Sequence, residues 1–207
     1  MTDHDNQLND PLNDKHQQRM AKRKEVIDAK IANATEERGV LILLKGTGKG
    51  KSSSGFGTLL RALGHGQKCA VVQFSKGRQA TGEYLFFQQH PVVEFHVMGH
   101  GFTWETRDRD QDIAAAQQAW EKCQTLLQDD SYDLLLFDEM SYMFKYGYLE
   151  VEPVVAALQN RPKHQNVIIT GRTMALPLQD IADTISNVDM ERHAFRLGVK
   201  AQAGIEF

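Results

Sequence analysis

The sequence predicts a three-layer α/β fold, a mostly parallel central sheet covered by helices on both faces, preceded by a helical arm. Two observations carry this. Short apolar runs alternate with segments of helical periodicity along residues 40–182, as expected when crossover helices cover a parallel sheet. The first run, Val40–Leu44, leads into a glycine-rich turn and then a helix, and ligands of such folds sit at the carboxyl ends of the strands.

Residues 1–14 are polar and rich in Asn and Asp, and read as a disordered tail. Residues 15–38 read as a helical arm stopped by Gly39. Its apolar residues Met20, Ile27, Ile31 and Ala34 make one narrow stripe, so the arm is either solvated or docks on its own domain, a sister subunit or a ligand. Residues 39–207 form the main domain. Within it VLILL is a strand, Ser53–Gly64 a helix, Lys68–Phe74 a strand, Gly82–His90 a short helix and Val92–Val97 a third strand. Asp108–Leu127 is a long helix with Ile113, Ala116, Trp120, Cys123 and Leu127 on one face. Leu134–Phe137 is a strand, Val151–Asn160 a helix, Asn166–Thr170 a strand and Leu178–Ala182 a helix. Arg161 and Lys163, in the turn before the last of these strands, read as solvated. The C-terminal residues carry no clear periodicity.

Composition narrows the function classes. The chain has 207 residues, 41% hydrophobic and 25% charged, ordinary for a globular domain. A net charge of −3 argues against bulk nucleic-acid binding. No apolar run approaches the ~20 residues of a membrane span, and the N-terminus has no apolar signal core. Cys69 and Cys123 are far apart and fall in buried patterns, which suits free thiols in a reducing compartment. A cytoplasmic protein is expected.

Two motifs carry chemistry. In VLILLKGTGKGKSSS, Gly46, Gly48 and Gly50 let the backbone curl so that N–H groups face phosphate oxygens. Lys51 supplies a point charge, Ser52 a hydroxyl for Mg²⁺, and the helix start adds partial positive charge. The form is that of a P-loop with an unusual first position: Lys45 stands where the general pattern has glycine. A chance glycine-rich turn is the alternative. The second motif, Leu134–Glu139 (LLLFDE), is an apolar strand ending in two carboxylates, suited to a hard cation beside a P-loop; the alternative is a carboxylate capping the next turn. A third stretch, GHGFTWET at 99–106, places two aromatics on a glycine-flanked loop. Packing and ligand stacking both fit it. His96 and His100 form at most a weak zinc pair, and residues 108–110 are a charge run at a helix start.

Together these pieces resemble the P-loop ATP:corrinoid adenosyltransferases, over about residues 15–207. The matching stretches are GTGKGKS (46–52), the spacing of Arg61–Lys68, VVQFSKG (71–77), GFTWET (101–106), LLLFDEMSYM (134–143), RP (161–162), VIITGR (167–172) and HAFRLGVKAQAGIEF (193–207), together with the N-terminal arm. The resemblance implies a RecA-like P-loop NTPase fold. It also implies a reaction, transfer of the 5′-deoxyadenosyl group of ATP to the Co(I) of a reduced corrinoid with release of triphosphate. Gly46, Thr47, Gly48, Lys49, Gly50, Lys51, Ser52 and Ser53 would cradle the triphosphate, with ATP held in the reverse of the usual sense, and Arg172 would touch the nucleotide. Ser52 and Glu139 would hold Mg²⁺ (or Mn²⁺), supported by Asp138. Lys51 would stabilise charge on the leaving triphosphate. Phe102 and Trp104 would displace the lower axial ligand of the corrinoid, letting a reduced flavin protein generate Co(I). The arm would cover the corrinoid, in a homodimer that of the partner subunit. The family usually reads GNGKGKT, so Thr47 and Ser52 are departures, as is Thr173–Leu176 after VIITGR. A P-loop small-molecule kinase or NTPase, and a nucleotide-gated corrinoid-binding protein with little turnover, are the competing expectations.

Overall fold

The computed structural model describes residues 11–74, 80–97 and 109–207. The chain divides into two compact units, 1–37 and 38–207. In the first, α1 spans Pro11–Asn33. It starts in the stretch expected to be tail, because Pro11 is pre-organised for a first helical position. Asp14 in its first turn and Lys30 in its last suit the helix dipole. α1 is the one regular element among the described residues of this unit, and Met20, Ile27 and Ile31 of its apolar stripe are exposed. The helix ends six residues before Gly39, so Gly39 is not its stop. A Cβ on Gly39 would lie 2.2 Å from the Gln165 carbonyl oxygen, so glycine is needed there for close backbone approach.

The second unit holds six strands: β1 Leu41–Lys45, β2 Cys69–Gln73, β3 Val93–Val97, β4 Leu134–Asp138, β5 Asn166–Thr170 and β6 Thr184–Asn187. They form one sheet in the order β3-β2-β4-β5-β1-β6. Every pairing is parallel, so the mostly parallel expectation sharpens to all-parallel among the described strands. The helices are α2 Lys51–Gly64, α3 Gly82–Gln89, α4 Arg109–Gln128, α5 Ser141–Lys145, α6 Val151–Gln159 and α7 Leu176–Asp180. The 3₁₀ turn Ala194–Leu197 follows β6.

Period-two alternation divides the core into two layers. Leu41, Leu43, Leu135, Phe137, Val167 and Ile169 join Trp120, Cys123 and Leu127 of α4 and Leu158 of α6. On the other face Leu44, Leu134, Leu136 and Ile168 join Phe56 and Leu59 of α2 and Phe87 of α3. Both faces of the central strands are covered, which is why they read as unbroken apolar runs.

Three elements were not legible in the sequence. β6 is only TISN at a sheet edge, with three of its four residues exposed. α5 is a single turn, and the 3₁₀ turn buries no residue. The last helix starts two residues earlier than expected, with a proline in its first turn. Arg161 is not merely solvated: its guanidinium donates to the carbonyls of Leu158 (2.6 Å), Gln165 (2.9 Å) and Gly39 (3.4 Å), clamping the turn that leads into β5.

Candidate nucleotide-binding site

Parallel pairing brings the carboxyl ends of β1, β2, β4 and β5 to one edge of the sheet. In sheet order β5 lies between β1, which carries the glycine loop, and β4, which carries the carboxylates. The loop is seated against the segment after β6. Gly48 N–H donates to the Val188 carbonyl at 2.7 Å, Val188 N–H to the Lys45 carbonyl at 2.7 Å, and Gly46 N–H to the Arg172 carbonyl at 3.1 Å. A Cβ on Gly46 would stand 2.3 Å from the Val188 oxygen, and one on Gly48 2.4 Å from the Asp189 oxygen. Gly46 also has φ 120°. These two glycines are required by contact, Gly46 by conformation as well.

Gly50, at φ 106°, opens α2 without a side-chain cap, and the first turn of α2 carries no acid. That leaves the positive end of the helix uncompensated by its own residues. Thr47, Lys49, Gly50 and Ser53 are exposed and Ser52 is half-buried. Lys51 is buried and its Nζ donates to the Gly48 carbonyl at 2.7 Å. Burial lowers its pKa, with Arg172 acting the same way, while Glu139 and Asp138 oppose the shift. Lys45 Nζ donates to Gln179 Oε1 at 2.6 Å, and Gln179 Nε2 to the Met174 carbonyl at 2.8 Å. The unusual first position of the loop thus tethers it to the segment after β5.

The two carboxylates ending β4 have different surroundings. Asp138 is 1% exposed; it accepts from Thr170 Oγ1 at 2.7 Å and from Gln73 Nε2 at 3.0 Å. Both its oxygens are engaged by neutral donors. Glu139 follows at φ 57°, a left-handed conformation rare outside glycine. Its N–H donates to Thr170 Oγ1 at 2.9 Å, and its Oε2 is buried without a hydrogen-bond partner. Burial, then the neighbouring Asp138, push its carboxyl up to about 7 against the pull of Lys51 and Arg172. A buried, unpartnered carboxylate oxygen is costly unless something binds it. Arg172 is exposed at the end of β5, close enough for its charge to act on Lys51, Glu139 and Tyr142.

Lys51, Glu139, Asp138 and Arg172 therefore meet at one edge of the sheet, beside the loop that carries Ser52. Phe102, Trp104 and His100 lie outside the described residues. His96 Nε2 is paired with Glu94 Oε1 at 2.7 Å. Cys69 and Cys123 are free and buried, and burial raises both thiols. Gln73 and Thr170 escaped sequence reasoning, although each is a polar residue closing an apolar strand. Val188 and Asp189 could not be found that way, because they act through backbone atoms.

Residues 37–207 match the family model described as ATP:corrinoid adenosyltransferase BtuR/CobO/CobP, and residues 1–31 match one described as Cob(I)alamin adenosyltransferase N terminal. The chain belongs to the ATP:corrinoid adenosyltransferase family. It is 50% identical over 194 residues to the corrinoid adenosyltransferase of Pseudomonas aeruginosa, covering 93% of this chain and 96% of that one. It is 47% identical to that of Escherichia coli, covering 94% and 98%, and 42% identical over 196 residues to that of a Sinorhizobium species, covering 93% and 92%. Within this adenosyltransferase, the departure at 173–176 keeps its anchorage: Met174 is buried and its carbonyl holds Gln179. Thr47 stands exposed on the loop, and Ser52 retains a hydroxyl.

Proposed function

We propose that this chain transfers the 5′-deoxyadenosyl group of ATP to the Co(I) of a reduced corrinoid, in the synthesis or salvage of adenosylated corrinoids. The observation that carries the proposal is the junction of a glycine loop, a buried Lys51 and a buried, unpartnered Glu139 Oε2 in a chain matched to this family over residues 37–207. The Co(I) electron pair forms the bond to C5′. The bond from C5′ to its oxygen breaks, and that electron pair leaves with triphosphate.

The residues divide the work. Backbone N–H groups of the loop and the start of α2 receive the triphosphate, aided by Thr47, Lys49 and Ser53. Lys51 and Arg172 stabilise the negative charge that grows on the leaving group, a role most effective in a desolvated site. A divalent cation, Mg²⁺ or Mn²⁺, fits the oxygen donors Ser52 Oγ and Glu139 Oε2 and would neutralise part of the phosphate charge. Asp138 holds the Thr170 hydroxyl that receives the Glu139 N–H, so its part is to orient. Phe102 and Trp104 would act on the corrinoid by displacing its lower axial ligand, which would raise the potential at which a reduced flavin protein can deliver the electron. By the family resemblance the enzyme would work as a homodimer, in which the N-terminal arm would cover the corrinoid of the partner subunit.

An anaerobic assay tests the proposal. Protein, ATP, Mg²⁺ and chemically reduced cob(I)alamin should yield a light-sensitive adenosylcorrinoid and one triphosphate per turnover. ADP release independent of corrinoid would instead indicate a kinase or NTPase. Binding of both ligands without product would indicate a carrier.

A further inference from the structure

The loop carries a second lysine, Lys49, and its partner comes from the far end of the chain. Lys49 Nζ forms an ion pair with Glu206 Oε2. The Glu206 side chain is delivered by a tight turn: Glu206 N–H donates to the Gln202 carbonyl at 2.8 Å, Ile205 N–H to the same oxygen at 3.2 Å, and Gly204 N–H to the Phe207 carbonyl at 2.7 Å. Gly204 takes the positive φ of 77° that the turn requires. The C-terminal segment thus meets the glycine loop twice, through Val188 and Asp189 under Gly46 and Gly48, and through Glu206 at Lys49.

Burial, and after it the charge of Lys51, weighs against the charged form of Lys49. A carboxylate on Lys49 offsets this while the loop holds no anion. A triphosphate brings several negative charges to the same lysine. Glu206 then competes for Lys49 and repels the ligand. The side chains remain 47% (Lys49) and 21% (Glu206) exposed, so the pair is weak enough to be displaced.

We infer that Glu206 is a built-in, displaceable counter-ion of the triphosphate cradle, which loosens the grip of Lys49 on triphosphate and speeds its release. The inference rests on the cradle proposed above. A polyanionic product that stays bound blocks the next ATP, so an acid poised to retake Lys49 shortens its stay.

Titration calorimetry with inorganic triphosphate and with ATP, each with Mg²⁺, tests it on wild type, Glu206→Gln, Lys49→Gln and the double variant. Glu206→Gln should bind triphosphate about two- to fivefold more tightly, the range of a partly exposed ion pair. The gain should shrink at high salt, and product inhibition should strengthen by the same factor. In the Lys49→Gln background the Glu206 substitution should have no effect. Unchanged or weaker binding by Glu206→Gln, with Lys49→Gln weakened, overturns the counter-ion role and leaves the cradle standing. An equal gain with and without Lys49 also overturns it. A wild-type protein that binds no triphosphate overturns the cradle and this inference together.

Discussion

Glu139 combines a left-handed backbone, a buried oxygen without a partner and a carboxyl raised to about 7. The folded state, free of ligand, favours the protonated form. Its contribution to stability is therefore present below the unfolded value of 4.5 and lost as pH rises through about 7. The loss amounts to about 3 kcal/mol. Urea unfolding of the ligand-free protein from pH 4.5 to 8 should show this decline, and Glu139→Gln should flatten it. An identical slope in the variant would assign the effect to other groups. The same substitution should abolish most adenosyl transfer, since it removes the charge that suits the cation. A residue-scale prediction also follows for the aromatic loop. Trp104→Ala should leave ATP affinity near normal but cripple transfer starting from Co(II) with a flavin-based reductant. Equal loss with chemically supplied Co(I) would contradict axial displacement.

At the scale of elements, β4 and β5 act as a pair. Their register places Phe137 beside Ile169, and the next residues, Asp138 and Thr170, share a 2.7 Å hydrogen bond. Thr170→Val conserves shape but leaves a buried Asp138 oxygen and the Glu139 N–H without their partner. The expected cost is about 1–3 kcal/mol in denaturant unfolding, with weaker Mg²⁺–ATP binding as Glu139 loses its tether. Thr170→Ser should restore most of both. A stability loss with binding intact would reduce Thr170 to a packing role. The apolar elements were readable because strands covered on both faces must be apolar throughout, and because α4 repeats its buried positions at helical spacing. TISN lacked any such pattern. Its place at the sheet edge comes from pairing to β1, with Ile42 opposite Thr184 and Leu44 opposite Ser186.

On the scale of the whole molecule, the division at residues 37 and 38 separates a lone helix from a domain with two core layers. A protein lacking residues 1–37, which keeps Arg38 and its ion pair with Asp183, should therefore unfold cooperatively and bind ATP as the full chain does, with weakened corrinoid affinity. Unchanged corrinoid affinity would sink the covering role of α1. Much of the main domain could be read from residue order alone. The alternation of apolar runs and helices, the glycine loop and the acidic strand end are local patterns, and local patterns answer to backbone geometry and burial. Non-local pairings answer to chain closure, which no local pattern encodes. Folding alone assigned Asp138 to a hydrogen-bond network and left Glu139 Oε2 buried without a partner. It also turned Arg161 from a solvated charge into a clamp on three carbonyls. It brought the carbonyls of Val188 and Asp189 under Gly46 and Gly48, and Glu206 to Lys49, 157 positions away, because only the pairing of β6 with β1 sets the C-terminal segment beside the loop after β1.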